Sequence, residues 1–250
     1  MKPHRCFAVL IALGLIVPAH AAAPPTIVLV SGEDEYHSAE TLPVFAKSLE
    51  TEHHFKTVYL ERKPKPDTIA GLDALERADL LILFARRMTL PDDQLKQFQK
   101  YFESGKPLIG LRTASHAFQT WLVFDKLVLG GNYQNHYGSN FLPLIVVQPP
   151  ARQHPILRGV PDSFGTRGSL YRNSGLQTNT TPLLTGIIRE QNVDKLEPVA
   201  WTHDYKGARV FYTSLGHQDD FKNPAFRRLL VNAIYWAMDK PEAVKAKVMN

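Results

Sequence analysis

Residues 106–121 read "KPLIGLRTASHAFQTW". Leu108, Ile109 and Leu111 form a short apolar run without alternation, the mark of a strand buried on both faces. Arg112, Thr113, Ser115 and His116 follow within five residues. A strand that runs straight into a tight turn of small and polar residues is the place where α/β enzymes hold a nucleophile or a base. Working outward, "PTIVLVSG" (25–32), "KTVYLER" (56–62) and "LLILFAR" (80–86) are runs of the same kind. The intervening segments read as helices. In "EDEYHSAETLPVFAKSLE" Thr41 caps a helix with Pro43 in its first turn and Val44, Phe45 and Leu49 on its inner face. "DTIAGLDALERAD" reads as a short helix. "LPDDQLKQFQKYFESGK" carries Asp92 and Asp93 in its first turn, apolar residues at Leu95, Phe98 and Phe102, and Gly105 just past its end. Strands alternating with helices predict an α/β fold, a flavodoxin-like doubly wound and mostly parallel sheet with helices on both faces.

The second half is less regular. "FLPLIVVQ", "TPLLTGIIRE", "EPVAWTHDY" and "GARVFYTSLGH" read as strands, the last two joined at Lys206-Gly207. "HPILRGVPDSF" reads as a Pro/Gly-rich loop. "NPAFRRLLVNAIYWAMDK" is an amphipathic helix with Asn223 as cap and Pro224 at its first position. The polar tail after Lys240 reads as frayed.

The first 21 residues read as a secretory signal peptide and residues 22–250 as one domain. Lys2 and Arg5 precede the apolar "CFAVLIALGLIV", and Ala19 and Ala21 stand at −3 and −1 of a cleavage site. The expected location is therefore exported, periplasmic or extracellular. Cys6 is the only cysteine in the 250 residues. Cleavage removes it, and with it disulfides, thiol nucleophiles and thiolate ligands. Cleavage also removes Lys2 and Arg5 and no acid, which takes the formal charge from +5 to +3. The remaining basic residues are scattered, so nucleic acid is not an expected partner. No later segment reaches membrane-spanning length.

In a doubly wound sheet ligands bind outside the carboxyl ends of the strands. Polar clusters follow those ends: Glu33, Asp34, Glu35, Tyr36 and His37; Arg86 and Arg87; the 112–118 turn; and Ser214, His217, Asp219 and Asp220. A Gly/Asn/aromatic stretch, "LGGNYQNHYGSN", adds His136 and Tyr137. The topology predicts that His37, His116 and His217 share one pocket with Arg112. These four are the expected catalytic set, with Glu35, Tyr36, Ser115, His136, Tyr137 and Asp219 expected to bind substrate. His37, His116 and His217 are also the candidate ligands of a divalent metal such as zinc, although no H-x-x-x-H spacing is present. Arg112 has two readings, an internal ion pair with an acid among Glu33–Glu35 or an anchor for a substrate oxygen. Ser115 lacks a G-x-S-x-G setting, and the Gly pair at 130–131 does not fit a dinucleotide loop. His53 and His54 read as solvent-facing, His154 as structural, and His203 as a strand residue without an evident partner.

Taken in order, "VSGEDEYHSAETLP", "GKPLIGLRTASHAF", "VLGGNYQNHYG", "HPILRGV" and "PVAWTHDYKGARVFYTSLGHQDDF" resemble the trehalose-utilisation (ThuA)-like domain from about Thr26 to Met238. The resemblance implies a fold like that of class I glutamine amidotransferases, whose elbow carries a catalytic cysteine. Here the elbow has none, and Arg112 stands where many relatives carry histidine. The resemblance also implies carbohydrate catabolism, with a disaccharide or its 3-keto derivative as the small ligand. Histidine acid/base chemistry is one expectation. A non-catalytic sugar-binding module using Tyr133, Tyr137, Trp121 and Trp201, and a metal-dependent hydrolase, are the alternatives. Self-association as a homo-oligomer stays open.

Overall fold

Apolar runs that do not alternate must be covered on both sides, and the computed structural model shows how. It describes residues 23–64 and 67–240. The expected signal peptide and the tail beyond Lys240 lie outside the described residues. The strands are β1 (Thr26–Gly32), β2 (Lys56–Pro64), β3 (Asp67–Ile69), β4 (Leu80–Ala85), β5 (Leu108–Leu111), β6 (Asn135–His136), β7 (Leu144–Val147), β8 (Ser163–Gly165), β9 (Tyr171–Arg172), β10 (Thr180–Glu190), β11 (Val193–Tyr205) and β12 (Ala208–Thr213). Ten of them form one sheet in the order β3-β2-β1-β4-β5-β12-β11-β10-β7-β8, and β6 pairs with β9 in a separate ribbon. β2, β1, β4, β5 and β12 run parallel to their neighbours in that block. From β12 onward the pairing is antiparallel. The expected α/β sheet is present, extended by an antiparallel half that the sequence announces only as irregular.

Helix α1 (Ser38–His53) and helix α3 (Pro224–Ala237) lie on one face, where Leu42, Phe45, Phe226 and Leu229 pack with Ile27, Leu29, Ile82 and Ile109. Helix α2 (Asp92–Glu103) lies on the other, where Phe98 and Phe102 pack with Val28, Val30, Leu81 and Leu108. Alternate residues of one strand thus enter different cores, as the two-residue period of a strand requires.

Two expectations are corrected. Helix α1 begins at Ser38, three residues before Thr41. Its first donor is met from upstream: the buried Glu33 carboxylate accepts from the Ser38 N–H at 2.8 Å, and from the Tyr36 N–H of the preceding turn at 2.7 Å. Phe45 and Leu49 are buried as expected, with Leu42 and Ala46 beside them, while Val44 is 72% exposed. The expected helix over 67–79 is instead β3 followed by a 3₁₀ segment, Leu72–Arg77. Gln94 binds both backbone groups of Ile69 at 2.9 Å, and Gly71, at φ 79°, turns the chain out of the strand. The 154–164 loop also contains a 3₁₀ turn and β8.

Asn223 caps α3 as expected, its Oδ1 accepting from the Ala225 N–H at 2.9 Å. Asn223→Ala is expected to cost about 1 kcal/mol, read by urea denaturation as a lower midpoint with an unchanged slope.

Strand β1 lies between β2, which follows it, and β4, which comes after the chain has crossed back. That reversal makes the carboxyl ends of β1 and β4 the switch point of the sheet. A cavity of about 520 Å³ opens there, lined by Glu33, Asp34, Glu35, Arg62, Arg86 and Arg87.

Candidate functional site

The elbow after β5 is centred on Arg112. Its backbone is in the left-handed region (φ 45°), which folds the chain directly from the strand into a 3₁₀ turn, Arg112–His116. The side chain is 1% exposed. Its guanidinium lies 4.0 Å from the centre of the Tyr36 ring and 4.8 Å from that of Tyr171. Nη1 donates to the Ser214 carbonyl at 2.8 Å and Nη2 to Ser169 Oγ at 3.2 Å. The expected ion pair with Glu33–Glu35 is not formed: Glu33 is committed to the start of α1, and Glu35 pairs with Arg86 at 3.1 Å. Nor is Arg112 open to a ligand, since the two phenol rings cover it. It is a buried cation held by aromatic faces and neutral oxygens, with the buried Asp220 carboxylate close enough to favour its charge.

His116 sits beside it, half-buried. Its ring stacks on Tyr133 at 4.5 Å between centroids and 20° between planes. Tyr171 lies 6.2 Å away on a tilted approach. Nδ1 is 3.0 Å from Ser115 Oγ, which also donates to the Arg112 carbonyl at 3.3 Å. Burial, together with Arg86, Arg87 and Arg112, pushes the His116 pKa down to about 3. The ring is therefore uncharged at neutral pH.

His217 approaches from the other side. Its ring meets Tyr36 edge-on at 6.3 Å, and Nδ1 accepts from the Asp219 N–H at 3.2 Å. That acceptance places the proton of the neutral ring on Nε2. Asp220, buried behind the turn, receives the Gly216 and His217 N–H groups at 2.9 and 3.0 Å and fixes its shape. Asp219 itself pairs with Lys222 at 3.0 Å, which holds its carboxylate below the usual range. His136, on β6, stands 6.3 Å from Tyr171.

Tyr36 and Tyr171, both against the Arg112 guanidinium, thus link His217 to His116 and His136 through ring and cation–π contacts. His37 does not join them. It occupies the left-handed residue before α1 (φ 59°), its side chain is 48% exposed, and Nδ1 contacts Glu40 at 3.0 Å. The turn that starts the helix points it away. Among the described residues no three His, Cys, Asp or Glu side chains are grouped to hold a metal ion, so the expected zinc set of His37, His116 and His217 is not assembled. Tyr137 also turns elsewhere, toward Glu197 (3.4 Å) and under Arg172 (4.3 Å). Tyr36 spans both roles, its hydroxyl donating to Glu35 at 2.9 Å.

Three other histidines among the described residues have structural partners. His154 accepts from the Ile156 N–H, as expected of a turn residue. His203 is 3.1 Å from both Thr180 Oγ1 and the Asn179 carbonyl, partners that the sequence did not reveal. His53 packs on Tyr235 rather than facing solvent. Tyr171 and Asp125 are the residues that sequence reasoning missed. One lies on a two-residue strand and the other on a single π-helical turn, Asp125–Leu129, and neither element has a periodic signature.

A model of the family described as ThuA, trehalose utilisation, matches residues 27–237. No curated protein matches the chain. Among solved structures, a ThuA-like protein from Bacteroides uniformis shares 21% identity at a TM-score of 0.66, covering 88% of this chain and 95% of that one. A second, from Parabacteroides merdae, shares 17% at 0.65, covering 86% and 90%. A cytoplasmic protein of Salmonella typhimurium shares 12% at 0.55, covering 85% and 98%. At these identities the likeness is one of fold.

Proposed function

The chain belongs to the ThuA trehalose-utilisation family, and from that membership we propose that it processes a disaccharide or its 3-keto derivative by histidine acid/base chemistry at the carboxyl edge of the sheet. The observation that carries the reading is His116: half-buried at the strand end, uncharged, and flanked by arginines. A neutral imidazole both donates and accepts. With Nδ1 turned to Ser115, Nε2 is the atom for substrate, and the Ser115 hydroxyl can donate either to Nδ1 or to the Arg112 carbonyl. The first arrangement leaves the His116 proton on Nε2, ready to polarise a keto oxygen. The second leaves Nε2 as an acceptor, a weak base with its pKa near 3, so His116 serves chiefly as the electrophile. His217, with its proton on Nε2, supplies a second donor. Arg86 and Arg87 favour negative charge that develops on an enolate oxygen. These are the steps of isomerisation or elimination next to a ketone. Neither requires a covalent nucleophile.

The sugar-binding module loses two of its platforms. Trp201 is fully buried with its indole N–H on the Leu129 carbonyl at 2.7 Å. Trp121 packs among Phe102, Phe118 and Phe124.

The test is incubation of the mature protein with α,α-trehalose and with its 3-keto derivative, followed by proton NMR. New sugar resonances from the keto compound are expected. Both spectra unchanged would overturn a catalytic role. Export belongs to the same proposal, and an intact mass beginning at Ala22 is its expected signature. A mass that still includes residues 1–21 would refute it.

A further inference from the structure

The ring on which His116 stacks also meets Tyr171 at 4.7 Å between centroids, and its backbone is tied separately. Tyr133 follows Gly130 and Gly131, and its backbone N–H donates to Asp125 Oδ2 at 2.7 Å. Asp125 is buried, and its other oxygen, Oδ1, has no hydrogen-bond partner. That oxygen lies tight against Gly131, where an added Cβ would collide with it. For tethering a backbone N–H, asparagine or serine would serve at a lower desolvation cost. A buried, half-partnered carboxylate is an expensive tether, so its charge needs a reason.

We propose that Asp125 is a positioning residue for His116: its carboxylate fixes the Tyr133 backbone, and the Tyr133 ring fixes the imidazole. This rests on the reading of His116 as the acid/base group. Burial pushes the Asp125 pKa up to about 6, against the Tyr133 N–H and Lys126, which pull it down. The other titratable groups packed around this turn are Tyr212 from β12, His203 from β11 across Gly130, and Arg112 and His116 from the elbow. The sign follows from linkage. Protons bind more tightly to Asp125 when Tyr133 is docked and the carboxyl is dry than when the loop lifts and water returns. Docking is therefore firmest below about pH 4, where the carboxyl is protonated in both states, and loosens as pH rises toward 6.

The experiment reads the His116 ring resonances by NMR in the full chain across pH 4.5–8, with no sugar present. In the wild type the ring-current effect of Tyr133 should displace them upfield. Measured in a His136→Gln background, which removes the neighbouring imidazole, they should show an inflection near pH 6, well above the pKa of about 3 of His116 itself. Asp125→Asn keeps an acceptor for the Tyr133 N–H but does not titrate. It should keep the upfield displacement and lose the inflection. Asp125→Ala should lose the displacement. An inflection that persists in Asp125→Asn, or a folded Asp125→Ala with wild-type resonances, overturns the proposal. If Asp125→Ala does not fold, the asparagine variant decides alone. Should His116→Ala leave sugar turnover intact, the catalytic reading falls, while the coupling between Asp125 and His116 is still judged by these resonances.

Discussion

Replacing His116 by alanine is expected to slow conversion of the keto-disaccharide by about 10²–10⁴-fold, the usual cost of deleting an acid/base group. Tyr133, Tyr171 and the arginines stay in place in this variant, so binding should change much less than rate. A large rise in KM with kcat preserved would mean that the imidazole only binds. Stability gives a second signature. An ordinary histidine titrates near 6.5, whereas His116 in the fold resists protonation until about pH 3. Between those values the unfolded chain takes up a proton that the folded chain does not, so stability is lost as pH falls through this window. His116→Gln removes that term. Its acid-unfolding midpoint should lie at lower pH than that of the wild type, while stability at pH 7.5 changes little. An unchanged midpoint would mean that water reaches the ring.

The second large effect is at Arg112. Arg112→Ala should destabilise the protein by about 3–5 kcal/mol, the range for truncating a large buried side chain. It leaves a void between Tyr36 and Tyr171 and strips the Ser214 carbonyl of its donor. Arg112→Lys should fall short of the wild type, because one ammonium cannot lie flat between two rings and reach both Ser214 and Ser169. Arg112→Met separates packing from charge. Burying a cation is costly even with the Asp220 carboxylate nearby, so an apolar side chain of similar length can restore part of the stability. It also removes part of the field on His116, whose pKa should then move up. Thermal denaturation and the His116 NMR titration would show the two effects independently. An alanine variant as stable as the wild type would mean that the stacked geometry contributes nothing.

The parallel block was legible because Val28, Val30, Leu81, Leu83 and their neighbours leave no polar face, and such strands have to lie inside a sheet. The proposed position of the site rests on the same fact. His116 and His217 sit where such a sheet binds ligands, and the structure brings them to the two sides of Arg112. The errors arose where one residue acts on another across the chain. Glu33 starts α1 early by accepting from Ser38, and Gln94 turns Asp67–Ile69 into a strand by binding Ile69. Neither contact leaves a pattern in its own window. His37 was misplaced for a related reason: a strand-end position predicts the loop, and the left-handed turn inside the loop decides where the side chain goes. Tyr171 came from a ribbon too short to show a period.

The pairing of β12 with β5 sets Val210 opposite Leu108 and carries Ser214 to Arg112. About a hundred residues separate the two strands in the chain, and contacts of such long range form late because the loop between them must close first. Until then β5 is a bare edge, with unpaired backbone groups that a second unfolded chain can extend. Completion of the proposed site is therefore expected among the last events of folding. A chain cut before Ala208 should aggregate through this edge rather than persist as an inactive monomer, and appearance of the Arg112–Tyr36 contact should coincide with the final refolding phase.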